Sequence, residues 1–167
     1  PILLMLPQLQ KGGSVPAIHD ITTNPMDPPT FSEIIERRVH AMNDLDYGDT
    51  ERTPEDMAAL QAEFYPDVET LIMPMTVRAA VSVAEQVVTE MGLELVGVDS
   101  DQGRVEATAT TFWFGFKDDL VVRVRAEGDQ AIIDLRSVSR VGQSDLGVNA
   151  ERIETFLDLF MERSDAL

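Results

Sequence analysis

At 167 residues the chain suits one domain of ordinary size, and size scaling has it burying about two-thirds of its unfolded surface. Thirteen Lys and Arg against thirty Asp and Glu give a net charge of −17, and Lys11 and Lys117 are the only lysines. Such a surface repels phosphate-rich partners, which excludes nucleic acid and disfavours anionic lipid. The acidity also has a plain reading, a solvated surface whose self-repulsion salt screens. There is no cysteine, so disulfide, zinc-thiolate and cysteine-nucleophile chemistry is excluded. No apolar run reaches the ~18 residues of a membrane span.

The opening PILLMLPQLQ reads either as the tail of a removed signal or anchor, or as an apolar strip lying on the domain. Pro7, Pro16, Pro25, Pro28 and Pro29, with Gly12-Gly13, make residues 7–30 an extended arm, neither helix nor central strand. Thr30-Phe31-Ser32-Glu33 fits a capping box ahead of a short helix through IIERRVHAM. Thr53-Pro54-Glu55-Asp56 starts a firmer one: a cap residue, proline at the first helical position, acids in the first turn. Met57, Leu60 and Phe64 then recur at helical spacing until Pro66. ETLIM predicts a short strand. From Thr76 a 3.6-residue repeat of Val77, Ala80, Val81, Ala84, Val87, Val88 and Met91 predicts a helix ending at Gly92. LELVGVD, RVEATATTFW, DLVVRVRA and AIIDLRSVSR follow, four β-branched runs joined by connections short enough for antiparallel hairpins. Leu146, Asn149, Ala150, Ile153, Phe156, Leu157, Phe160 and Met161 line one face of a last helix, which Ser144 or Asp145 can cap.

The expected fold is therefore α+β, β-α-β(4)-α, with a curved antiparallel sheet gripping a long C-terminal helix. This succession is similar to the TATA-binding-protein-like arrangement and, more loosely, to helix-grip proteins. Residues 1–52 form the arm with its short helix and 53–167 the α+β domain, the arm packing on it to make one domain overall.

Period-two alternation assigns the sheet faces. Val105, Ala107, Ala109, Leu120, Val122, Val124, Ala131, Ile133, Leu135, Ser137 and Ser139 point toward the helices. Arg123, Arg125, Arg136 and Arg140 share the opposite face with Glu106, Asp119 and Asp134. The plain reading of that lattice is a solvated field of cross-strand ion pairs. The sharper one is a recessed arginine floor beneath the arm, suited to a carboxylate or phosphate.

His19-Asp20 lies in the arm, and His40 is the only other histidine. A metal site needs three or four ligands, and no HxH or HExxH occurs, so neither metal nor cofactor is expected. Ser137 or Ser139 with His19 and Asp20 could be drawn as nucleophile, base and orienter. The serines, however, lie in mid-strand facing the helices, with no elbow to expose them. Asn149 sits on the last helix's apolar face, where a buried amide needs partners. Either it bonds the preceding loop and fixes the helix angle, or with Ser137 and Ser139 it forms the polar part of an apolar cavity.

Three ordered motifs, IHDITTNPMDPPTF, ATATTFWFGFKDDLVVRVR and DLRSVSRVGQSDLGVNAERI, resemble the domain of unknown function 1499 family of bacterial and plastid proteins, from about Ile18 to Ile153. The resemblance implies envelope association, through a signal or membrane segment upstream, and brings no activity, cofactor or substrate with it. The alternative location is cytoplasmic. The leading expectation is a non-enzymatic envelope-associated module that binds a small apolar or amphipathic ligand, or a membrane-protein partner, in the groove between last helix and sheet. Trp113, Phe116, Lys117, Arg123, Arg136, Ser137, Ser139, Arg140 and Asn149 are its candidate ligand-binding residues. A hydrolase or isomerase using His19 and Asp20 with a sheet arginine is the alternative, and a purely structural interaction domain the third.

Residues 112–119 read FWFGFKDD, which puts four of the chain's ten aromatics within five positions. Alternation carries Phe112 to the face of Thr108 and Thr110 and Trp113 to the apolar face, and Gly115 permits the reversal. The expected result is an aromatic lid plugging one end of the core, or doubling as the gate of a pocket, with Lys117 neutralising Asp118 and Asp119. A membrane-inserting tip is disfavoured, because two aspartates follow it directly.

Overall fold

An antiparallel meander of four strands, β3 (Glu94–Asp99), β4 (Arg104–Thr110), β5 (Lys117–Glu127) and β6 (Gln130–Ser139), forms the centre of the protein in a computed structural model that describes residues 16–48, 52–112 and 114–166. Two short strands complete a six-stranded sheet by pairing antiparallel with the free edge of β6. β1 (Asp20–Thr22) takes the half near the end of β6, with Asp20 opposite Val138. β2 (Leu71–Met73) takes the other half, with Leu71 opposite Ile133. The arm thus contributes an edge strand, where a proline-flanked segment can pair on one side only.

Three α-helices accompany the sheet: α1 (Pro54–Phe64), α2 (Val77–Glu90) and α3 (Val148–Ser164). α1 begins with the capping box formed by Thr53 and Asp56. The Thr76 hydroxyl accepts the Ala79 amide at the start of α2, and Gly92 after it takes the left-handed φ of +71°. α2 and α3 lie side by side on one face of the sheet. Between them and Val105, Ala107, Leu120, Val122, Ile133 and Leu135 sits the main core, into which α3 sends Ile153, Phe156 and Phe160. Leu146, expected on that helical face, instead precedes α3 in the left-handed region (φ 56°) and is exposed, as is Met161.

On the other face the structure favours the floor beneath the arm over the solvated field of ion pairs. That face is covered by residues 24–48 and is not solvated: Glu106, Asp119, Asp134 and Arg136 are all buried. Phe31 and Ile34 of the arm pack on Val121 and Val138, which reach through between the charged residues, and form a second small core. The short helix of the arm is a 3-10 helix, Glu33–Arg38, and the Thr30–Glu33 box does not form its cap. Glu106 of β4 caps it from across the sheet, accepting Ser32 N–H at 2.7 Å and Ile34 N–H at 2.9 Å. Gly97 of β3 permits this approach, since a Cβ there would lie 2.7 Å from the Glu33 Cγ.

Candidate functional site

The arginines of the covered face follow from period-two alternation on β5 and β6, and each meets a carboxylate. Arg136 holds Asp20 through Nε and Nη2 at 2.9 and 2.7 Å, donates to the Pro29 and Leu45 carbonyls, and lies over the rings of Phe31 and Tyr47. Burial pushes the Asp20 carboxyl up from its ordinary value, opposed by Arg136. Asp134 receives Arg123 and Arg125, both at 2.7 Å, and the Thr70 hydroxyl at 2.6 Å. Asp119 receives Arg38, Arg140 and the Thr108 hydroxyl. Arg123, Arg136, Arg140 and Arg38 also donate to carbonyls of the arm: Asp27, Pro29 and Leu45, Arg37, and Asn43. Guanidinium groups bound this way clamp the arm, and an incoming anion would have to displace internal carboxylates and carbonyls.

Ser137, Ser139 and Asn149 come together, with no room left between them. The Ser137 hydroxyl donates to Asn149 Oδ1 at 2.6 Å, and Asn149 Nδ2 donates to Ser139 Oγ and the His19 carbonyl. Arg152, one helical turn on from Asn149, joins through Nη1 and reaches Asp118 with Nη2 at 2.8 Å. The sequence places Arg152 in the third family motif without a role, although its i, i+3 spacing from Asn149 was the available signal. Asp145 caps α3 by accepting the Gly147 and Asn149 amides. This network fixes the helix angle, as the plainer reading of Asn149 has it. The open groove on the far side of α3, about 410 Å³, is lined by Asp67, Glu69, Glu154 and Asp158 beside Leu157 and Met161, an acidic surface.

His19 borders an open depression of about 420 Å³ with Asn43, Asp44, Asp46 and Tyr47. The Asp20 carboxylate is closed by Arg136 and both serine hydroxyls are bonded to Asn149, so neither is presented to His19. Among the described residues no cluster of His, Asp and Glu could hold a metal ion.

In the hairpin joining β4 and β5 the three phenylalanines do not form the expected plug. Phe112 is 89% exposed, Phe114 69% and Phe116 52%. Trp113 lies outside the described residues. β4 stops at Thr110, so the alternation that would tuck these rings away ends before it reaches them. The loop is closed by its own bonds. Thr111 N–H donates to the Phe116 carbonyl, Phe116 N–H to the Thr111 hydroxyl, and Gly115 N–H, at φ 64°, to the Thr111 carbonyl. Phe114 and Phe116 stack with centroids 5.6 Å apart. Lys117 does not neutralise the aspartates after it. Both are buried, Asp118 against Arg152 and Asp119 against Arg38 and Arg140, which leaves Lys117 exposed at the rim. The exposed Met42 stands nearby, its N–H on the carbonyl of Arg140, whose own N–H bonds Lys117.

These features define an α+β protein with two helices on one sheet face, an ion-paired arm on the other, and a projecting aromatic hairpin. The chain belongs to the family described as protein of unknown function (DUF1499), which matches residues 20–160. Comparison with curated proteins finds no match. No helix among the described residues is long and apolar enough to cross a membrane.

Proposed function

We propose that this protein is a non-catalytic docking module whose recognition element is the β4–β5 hairpin tip. The observation that carries this reading is the exposure of Phe112, Phe114 and Phe116 on a loop whose base is tied down by buried ion pairs. Solvent-facing aromatics clustered at one point mark a surface for an apolar or amphipathic partner. The groove between last helix and sheet is a weaker candidate, because Phe156, Phe160 and the Asn149 network fill it. Of the finer fold readings, the helix-grip and TATA-binding-protein-like arrangements are both supported by the meander with α2 and α3 on one face. The enzyme alternative has less support, since His19 lacks a presented nucleophile.

The test is site-specific photo-crosslinking in the native cell. A benzoylphenylalanine at Phe114 forms adducts with whatever the tip meets. The same group at Asp129, an exposed position at the other end of β5 and β6, serves as control. Adducts at 114 above those at 129 are expected; equal yields would remove the tip as the recognition element.

A further inference from the structure

Resting on that reading, we infer that the partner of the tip is the interface of a lipid bilayer, in particular one of zwitterionic headgroups. A protrusion that enters a bilayer interface needs an apolar apex, internally satisfied backbone groups, and no uncompensated acid beside it.

The described residues of the hairpin supply an apolar apex, bond part of the loop backbone internally, and turn the adjoining aspartates inward. The apex is Phe112, Phe114 and Phe116, exposed together. The amides of Thr111, Gly115 and Phe116 and the carbonyls of Thr111 and Phe116 bond within the loop, so entering the interface strips no water from them. The aspartates that argue against insertion in the sequence point inward, where Arg152, Arg38 and Arg140 neutralise them. Lys117 is the exposed charge beside the rings, and an ammonium on a flexible stem reaches a lipid phosphate while its methylenes lie along the rings.

The distribution of charge and chain supports the same side. The acids of the β5–β6 turn, Glu127 and Asp129, stand ten strand positions from Lys117, or about 33 Å. That exceeds the ~8 Å screening length of physiological salt, so they do not repel a surface at the tip. Asp44 and Asp46 are exposed nearer to it, and together with the −17 net charge they favour zwitterionic over anionic headgroups. The chain enters the described fold at this end too: Ser139 N–H bonds the His19 carbonyl and Asp145 N–H the Ile18 carbonyl.

The only tryptophan of the chain, Trp113, belongs to the tip sequence and serves as the reporter. The full chain is mixed with phosphatidylcholine vesicles, with and without brominated acyl chains. Its emission is expected to shift to the blue and to be quenched by the brominated lipid. Replacing part of the phosphatidylcholine with phosphatidylserine is expected to weaken binding at low salt. Phe112→Ser/Phe114→Ser/Phe116→Ser is expected to weaken vesicle binding by at least about tenfold, since binding scales with buried apolar area. Binding without quenching of Trp113 would overturn the inference by placing the contact elsewhere on the chain. Absence of vesicle binding would also overturn it, and the wild-type quenching needs no variant to fold. Failure here with a protein adduct at position 114 leaves the docking reading standing and removes the lipid; failure of both removes both.

Discussion

Replacing Asp119 by alanine tests whether the ion pairs beneath the arm are dry. Asp119 has no solvent exposure, and its carboxylate accepts Arg38 Nη1 at 2.5 Å, Arg140 Nε and Nη2 at 2.8 Å, and the Thr108 hydroxyl at 2.8 Å. Removing it leaves Arg38 in the interior with the Asn43 carbonyl, and the partly buried Arg140 with the Arg37 carbonyl and the Thr108 hydroxyl. Breaking one buried pair costs about 3–5 kcal/mol, and two stranded cations put Asp119→Ala near 5 kcal/mol. For a domain of this size that lowers the unfolding midpoint by about 10–20 °C. The assay is urea unfolding followed by far-UV circular dichroism, repeated at about 1 M salt, where a dry pair keeps its strength and a wet one does not. Exchanging all three charged groups, in Arg38→Met/Asp119→Leu/Arg140→Leu, is expected to recover most of the loss, because apolar groups of similar volume carry no desolvation penalty. A cost below about 1 kcal/mol for Asp119→Ala, the level of exposed pairs, would refute the reasoning.

Two further predictions follow from the interior. Asn149→Leu takes the acceptor from the Ser137 hydroxyl, the donor from the Ser139 hydroxyl and one acceptor from Arg152, and is expected to cost about 2–4 kcal/mol in the same assay. A loss under about 0.5 kcal/mol would show that the amide is dispensable. Burial raises the Asp134 carboxyl, but Thr70 and Arg123, followed by Arg125, outweigh it and hold the group below its ordinary 3.8. A depressed folded value means the unfolded chain binds the proton more readily, so this contribution is present above about pH 4 and lost as pH falls below it. Asp134→Asn is expected to be less stable than wild type at pH 7, with the gap closing on acidification. A gap that widens toward low pH would reverse the assignment.

The layout of the fold was legible from the sequence wherever a period reported on burial. Alternation along β5 and β6 placed Leu120, Val122, Ile133 and Leu135 against the helices and the arginines opposite, and the 3.6-residue repeat marked α2. It left open whether the charged face was solvated or lay beneath the arm, because that depends on contacts between residues far apart in the chain. Glu106 caps a helix more than seventy positions before it, and Arg136 reaches Asp20 across more than one hundred. Alternation also cannot say where a strand ends. Extending β4 past Thr110 turned an exposed tip into an expected plug, and made two inward, paired aspartates look like an obstacle at a surface. Arg152, within the third family motif, was given no role because its partners, Asp118 and Ser137, come from two other elements.

The measurement that bears most directly on the account is the stability of Phe112→Ser/Phe114→Ser/Phe116→Ser set beside its crosslinking or vesicle binding. Rings exposed at a tip contribute little to folding, so the variant is expected to lose about 1 kcal/mol or less while docking falls sharply. If the rings instead plugged the core, truncating each would cost about 3–5 kcal/mol, and a variant that unfolds at far lower urea would contradict the account.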